Sequence, residues 1–237
     1  MDPDTRLSIV IPAFNEEENL PVLMKELLQA LGSLRNMEVI FVDDGSTDKT
    51  LEVMLEFKRF YDFVRVLSMD GNYGLSAALD AGFRNSTGDV VVSLDADLQN
   101  DPEDIRKLLE KIPEYDVVIG IRVQRMDGIV KKLSSRIANG IRDFVLGEKW
   151  QDTGCTLKAY KRSYLEKIKL YSGLHRFLPT LLLMEQARIL EMPVNHRPRV
   201  YGKSKYHLWN RLTGPLRDLF AVRWMKSRHF SYKVLEK

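Results

Sequence analysis

Asp95, Asp97 and Gln99 stand at two-residue spacing where an apolar run ends, in "DVVVSLDADLQN" (89–100). Two carboxylates and an amide at that spacing offer hard oxygen donors to a divalent cation that keeps part of its water shell and bridges phosphates. The same residues could instead form a solvated turn in which Asp97 caps the next helix. Two other apolar runs end similarly. "LSIVIP" (7–12) leads into Phe14, Asn15 and Glu16, and "MEVIFVDD" (37–44) into Asp43, Asp44, Gly45 and Ser46. In open α/β sheets ligands sit beyond the carboxyl ends of the strands, so three polar strand ends outline one crevice.

The elements that must hold these residues alternate at βαβ spacing, which predicts a parallel sheet with helices on both faces. Strands are expected at 7–12, 37–44, 63–69, 89–96 and 115–122. A helix over 15–31 follows from Leu20, Leu23, Met24, Leu27, Leu28 and Leu31 at helical spacing. A second, over 46–60, opens with a cap signal before Leu51, Met54 and Leu55, and a third spans 74–86. Beyond the fifth strand, Arg125, Lys131, Lys132 and Arg136 face the single acid Asp127 within 123–136, which is either a phosphate-binding loop or a solvated basic face. A helix is expected over about 129–146, then a strand in "CTLKAYKRS", a helix in "RFLPTLLLMEQA", and a strand in "RILEMPVNHRPRV" that leaves the core. In the tail, Leu208, Trp209, Leu212, Leu216, Leu219, Phe220 and Trp224 fall along one helical stripe. Pro215 splits it into two helices, with Thr213 capping the second.

A chain of 237 residues with 44% hydrophobic composition is enough for one large α/β domain, alone or with a small appendage. The single cysteine, Cys155, excludes an intrachain disulfide and is expected to be a small packed hydrophobe. The start, "MDPDTRLSIVIP", lacks the pattern of a signal peptide, and no window is apolar enough for a spanning helix. The net charge of +3 conceals an asymmetry. Residues 197–237 carry eleven Lys/Arg against two acids (+9), and the remainder 25 against 31 (−6). A basic tail on an acidic body points to an anionic partner, either phosphate ligands or a membrane surface. Nothing beyond charge favours nucleic acid, and no nucleic-acid partner is expected.

Taken in order, "IPAFNEEENL", "VDDGSTDKT", "GNYGLSAALDAGF" and "LDADLQ" resemble the successive signatures of the family-2 glycosyltransferases. The resemblance implies an α/β, GT-A-type, mostly parallel Rossmann-like sheet with helices on both faces, followed by a C-terminal amphipathic helical tail. It also implies a nucleotide pocket formed by Pro12, Phe14, Glu16, Val42, Asp44, Asp95 and Ala96, with Phe14 standing where tyrosine is frequent. Asp44 would accept a hydrogen bond from the base, and Asp95 would face the ribose or diphosphate. Mg²⁺ or Mn²⁺ would sit on Asp97 and Gln99, where negative charge develops on the departing diphosphate. Helix capping by Asp44 and simple packing by Phe14 are the bland alternatives.

The second half narrows the acceptor. "GIR", "VKKLSSRIAN", "DTGCTLKAYKR" and "RPRVYGKSK" resemble the polyprenyl-phosphate branch, which includes dolichol-phosphate mannosyltransferases and bacterial undecaprenyl-phosphate sugar transferases. By that resemblance Arg122, Lys131, Ser135 and Arg199 bind the acceptor phosphate, and His196 lies near the metal and diphosphate. The catalytic set would be Asp97, Asp152, Arg122 and Lys131. Lys131 replaces a frequent arginine, so a point charge stands where a planar fork is usual. The expected reaction is metal-dependent, inverting transfer of a sugar from a GDP- or UDP-sugar to dolichyl or undecaprenyl phosphate. A phosphate monoester already carries roughly −1.5 to −2 charge near neutral pH and needs no base to attack. Two rivals stay open: transfer to a hydroxyl acceptor with Asp152 as base, and a non-catalytic nucleotide-sugar-binding or scaffold subunit. The expected division is a catalytic domain over 1–205 (1–121 for the donor, 122–205 for the acceptor) and a basic tail over 206–237. The tail either lies in a membrane interface at the cytoplasmic face or packs on the body. A membrane subunit or a second copy as partner also stays open.

Overall fold

The computed structural model describes residues 5–32, 34, 36–122, 140–201, 213–232 and 235, with 213–215 described through their backbone alone. Seven strands form one sheet in the order β3-β2-β1-β4-β6-β5-β7. β1 (Leu7–Ala13), β2 (Met37–Asp43), β3 (Val64–Ser68) and β4 (Val90–Ser93) are mutually parallel. β1 and β4 are buried along their whole length, as apolar runs covered on both faces must be. The chain moves outward from β1 to β2 and β3, then returns to place β4 on the other side of β1. The switch point therefore falls between the carboxyl ends of β1 and β4, where such sheets open a crevice.

β5 (Val117–Arg122) and β7 (Ile189–Val194) pair parallel, but β6 (Lys158–Lys161) runs antiparallel to both β4 and β5. The chain leaves β5 at the crevice end of the sheet and re-enters at that same end, so β6 must point backwards. That entry and exit bring Arg122, the last residue of β5, beside the segment that precedes β6. Pro193 is accommodated because β7 is an edge strand.

One face is covered by α1 (Leu20–Leu31), α2 (Thr50–Phe60) and α4 (Asp104–Lys111), which supply Leu23, Leu27, Met54, Ile105 and Leu108 to its core. The other carries α3 (Leu75–Asn85), the helical residues 140–146 (α5 over its described part), α6 (Arg162–Leu165), α7 (Leu178–Met184) and α8 (Thr213–Arg228). α1 begins at Leu20 rather than Asn15 because residues 14–19 are drawn into the crevice rim and Pro21 suits the first turn. α2 begins at Thr50, whose N–H is accepted by Asp48 Oδ1 at 2.9 Å, and Leu55 is 41% exposed. Pro215 lies in the first turn of α8, as the expected second tail helix requires. Leu208, Trp209, Leu212 and the expected cap by Thr213 lie outside the described side chains.

α8 has two faces. Leu219 and Val222 are buried in the core, whereas Leu216, Phe220 and Trp224 are exposed. Lys226 Nζ donates to the Leu146 carbonyl at 2.8 Å and pairs with the buried Glu148, which also accepts from Trp150 Nε1 and Thr180 Oγ1. The single expected stripe thus resolves into a packed side and a free side.

Below the crevice, Ser76 Oγ accepts the His175 N–H at 3.3 Å and lies 2.7 Å from His175 Nδ1. The hydroxyl and Nδ1 share a hydrogen bond, and burial pushes the His175 pKa down to about 3, so the ring is neutral near pH 7. The folded chain refuses a proton that the unfolded chain accepts below about pH 6.5. The His175 contribution to stability should fall as pH drops through that window, by up to about 1.4 kcal/mol per pH unit, while Asp95, pushed up to about 7, contributes a slope of the opposite sign. His175→Gln should remove this contribution, so the urea midpoint of the wild type should fall relative to that of His175→Gln between pH 7 and pH 5.

Candidate active site

The rim of the crevice is built by loops that hold one another. Asn15 N–H donates to Ser46 Oγ at 3.0 Å, Thr47 N–H to Asn15 Oδ1 at 2.8 Å, and Glu16 N–H to Thr50 Oγ1 at 2.7 Å. The first two strand ends thereby fix each other, with Asn15 held at φ 53°. Gly45, at φ +70°, lets the second loop approach the third, since a Cβ there would meet the Gly71 carbonyl carbon at 2.5 Å. Asp44 completes the lacing. Its Oδ1 accepts the Tyr73 N–H and its Oδ2 the Gly74 N–H, both at 2.8 Å.

These loops enclose a cavity of about 300 Å³ lined by Pro12, Phe14, Glu16, Asp44, Asp95, Ala96, Asp97 and Arg199, with Asn72, Gly74 and Ala78 on its α3 side. Burial and the nearby Asp97 carboxylate push the Asp95 carboxyl up to about 7. Burial pushes Asp97 up as well, against the pull of Arg199. Asp97 Oδ1 accepts the Gln99 N–H at 3.2 Å, and Oδ2 accepts from an Arg199 Nη at 2.5 Å. Asp95 and Asp97 are thus enclosed carboxylates close enough to repel one another, a strain that a cation between them would relieve. The oxygens of Asp97 and Gln99 are the hard donors that Mg²⁺ or Mn²⁺ takes. Among the described residues no cluster of three or more His, Cys, Asp or Glu side chains is arranged to cage a metal.

Arg199 reaches the cavity on a strap fastened to the Asp97–Asn100 loop. Arg197 N–H donates to the Gln99 carbonyl at 2.8 Å, Gln99 Nε2 returns a bond to the Arg197 carbonyl at 3.4 Å, and Asn100 bridges to His196. The Arg197 guanidinium spans Glu26 and Asp101 at 2.7 and 2.9 Å. His196 lies close enough for its charge to act on Asp97.

A second polar corner forms where β5 ends. Arg122 grips Asp152 through Nε–Oδ2 at 2.6 Å and Nη–Oδ1 at 2.8 Å, and its N–H adds a third bond at 3.3 Å. Gly154 N–H also donates to Oδ1, at 3.1 Å. Burial disfavours the Arg122 charge, but the bonds to Asp152 outweigh it and raise its pKa. A carboxylate in a bidentate guanidinium clamp is a poor proton acceptor. The arrangement favours an anchoring role for Asp152 over a general base.

The structure brings together Pro12, Phe14, Glu16, Asp44, Asp95, Ala96, Asp97 and Arg199 around one cavity. Gln99 adjoins it, and Arg122 and Asp152 form the neighbouring corner, within reach of Asp95 electrostatically. Val42 is a correction. It is fully buried in the core beside Pro12 on β1 and lines no part of the cavity. Lys131 and Ser135 lie outside the described residues. Lys158 was missed. It is buried on β6 in register with Ser93, and its charge acts on Asp95. A lysine inside the strand run "CTLKAY" was the available signal, because lysine is seldom enclosed without a charge partner. Cys155 is buried with its thiol pushed up to about 11, which makes it unreactive.

An open, mostly parallel sheet with a carboxylate-rimmed crevice at its switch point is the arrangement of α/β proteins that bind nucleotides there. The chain belongs to glycosyl transferase family 2, whose family model matches residues 8–169. It is 37% identical over 207 residues to the undecaprenyl-phosphate 4-deoxy-4-formamido-L-arabinose transferase of Salmonella paratyphi B, covering 86% of this chain and 63% of that protein. The chain thus spans less than two thirds of the length of such relatives. In fold it is similar to glucosyl-3-phosphoglycerate synthase from Mycobacterium tuberculosis in complex with Mn²⁺, UDP and glucosyl-3-phosphoglycerate (TM-score 0.69, 20% identity, 94% of this chain and 80% of that one). It is also similar to S. aureus TarS in complex with UDP-GlcNAc (TM-score 0.65, 19% identity, 93% and 66%). The GT-A-type architecture expected from the sequence is the one found.

Proposed function

We propose that this chain transfers a sugar from a nucleotide-sugar donor to a polyprenyl phosphate, working peripherally at the cytoplasmic face of a membrane. The observation that carries this reading is the pairing of a carboxylate-rimmed cavity with a neighbouring corner in which the candidate base Asp152 is clamped by the Arg122 guanidinium. A hydroxyl acceptor needs a general base, whereas a phosphate monoester needs only cations to screen its approach. Similarity to an undecaprenyl-phosphate transferase supports the same acceptor class. We assign donor binding to 1–121, acceptor recognition to 122–205 and membrane contact to the tail.

In this reading Phe14, Glu16 and Asp44 bound the nucleotide, and Asp95 faces the ribose or diphosphate. Asp97 and Gln99 hold Mg²⁺ or Mn²⁺, which when bound supplies neutralising charge at the departing diphosphate. Arg122, with Lys131 and Ser135, receives the acceptor phosphate, and Asp152 orients Arg122. The direct test offers radiolabelled UDP- and GDP-sugars with short polyprenyl phosphates and extracts lipid-linked product. Label appearing only in saccharide or free sugar would defeat the acceptor assignment.

No described helix is long and apolar enough to cross a membrane. Phe220 and Trp224, each 64% exposed, stand among Arg217, Arg223 and Arg228 on α8. Phe144, 90% exposed, lies on α5, which α8 touches through Lys226. Apolar and basic side chains together suit an anionic lipid interface. Phe220→Ser with Trp224→Ser should weaken binding to anionic vesicles and use of long-chain acceptors, while sparing a short prenyl phosphate. Leu219→Ser should lower the melting temperature and harm both acceptors alike. If the first pair behaves like the second, the outer face of α8 has no membrane role.

A further inference from the structure

Arg199 was expected among the acceptor-phosphate ligands, yet its nearest partner is Asp97. One Nη lies 2.5 Å from Asp97 Oδ2 and the other 3.9 Å from Glu16 Oε1, inside the nucleotide cavity. Gln99 N–H occupies the second Asp97 oxygen at 3.2 Å, so both oxygens are engaged. A cation bound by Asp97 would stand about 2.0–2.1 Å from a carboxylate oxygen. A guanidinium on that same carboxylate would then face a doubly charged ion a few Å away, in an enclosed site where like charges repel strongly. The guanidinium and a cation therefore compete for Oδ2. The backbone of the strap is fastened through Arg197 and Gln99, while the Arg199 side chain is 27% exposed and can turn on its own stem.

We propose that Arg199 is an exchangeable occupant of the cation position. Its guanidinium neutralises Asp97 before loading, yields Oδ2 to the divalent cation, and then takes a phosphate oxygen. A planar fork of donors suits phosphate as well as carboxylate, so the released group has a second partner of equal chemistry. The consequence is reciprocal coupling, in which cation and phosphate each strengthen binding of the other beyond their direct contact. The inference rests on the metal reading of Asp97, and its test separates the two.

Calorimetric titration of the full chain with MnCl₂ alone should show at least about 10-fold tighter binding in Arg199→Met than in wild type, the lower end for releasing a hydrogen bond to a charged group. The gain should persist in 1 M KCl, where a Debye length of about 3 Å suppresses a mere change in net charge. Arg199→Gln, whose amide can still bond Asp97, should fall between the two. With Mn²⁺ present, the sign should reverse, and phosphate ligands should bind at least about 10-fold more weakly to Arg199→Met. Weaker binding of UDP or GDP assigns the released guanidinium to the donor diphosphate, and weaker binding of farnesyl phosphate assigns it to the acceptor. Manganese affinity unchanged or reduced in Arg199→Met overturns the exchange, and phosphate affinities that all stay unchanged overturn its last step. Manganese binding indifferent to Asp97→Asn overturns the metal site itself, and the exchange with it.

Discussion

Asp97→Asn should lower turnover by at least about 10²-fold, the scale for deleting one electrostatic stabiliser of a transition state. The isosteric amide keeps the shape of the site and its oxygen for the Gln99 N–H, but removes the charge that would hold a cation. Burial already disfavours that charge, so the melting temperature should hold or rise slightly. A large kinetic loss in an equally stable protein separates lost chemistry from lost fold. EDTA should abolish activity, and Mg²⁺ or Mn²⁺ should restore it. Full turnover in EDTA would remove the metal role from Asp97 and Gln99.

The second large effect belongs to the corner where β5 ends. Arg122→Met would leave Asp152, 4% exposed at its side chain, without its countercharge. Breaking a buried pair from one side costs about 3–5 kcal/mol. In a chain of this size each kcal/mol shifts the melting temperature by about 2–4 °C, so a fall on the order of 10 °C is expected. Arg122→Met combined with Asp152→Leu should regain much of that stability, because no buried charge is then left alone. It should not regain transfer to a phosphate acceptor, which needs the guanidinium. Asp152→Asn separates anchor from base. A lost base would cost about 10²–10⁴-fold in turnover and flatten the acid side of the pH–rate profile. An anchor would leave that profile's shape intact and chiefly weaken acceptor binding.

Much of this site was legible in the sequence because its signals are local. Apolar runs such as "LSIVIP" and "VVVSL" can be buried only as covered strands, and the residues that follow each run must emerge at the sheet's carboxyl edge. Leu20, Leu23, Met24 and Leu27 mark the buried side of α1 through spacing alone. Those periodicities, with the rule that crevices open at switch points, are enough to place Phe14, Asp44, Asp95 and Asp97 together. The polar strand ends were informative because burial leaves no reason for a carboxylate at the end of an apolar run except capping or a ligand.

What the sequence alone did not decide was which of these groups would touch. β6 runs backwards because the chain re-enters the sheet at the end where it left, and only that geometry places Asp152 against Arg122, thirty residues earlier in the chain. Arg199 reaches Asp97 across 102 positions through a strap whose fastenings at Gln99 and Asn100 leave no periodic trace. Leu219 and Phe220 look equivalent in a helical stripe, yet one is enclosed and the other bare, because a helix carries the pattern but its neighbours choose the face. Local composition determines which elements form and what their ends can bind. Pairing between side chains far apart in the chain depends on strand order and direction, and these are settled by packing the whole sheet.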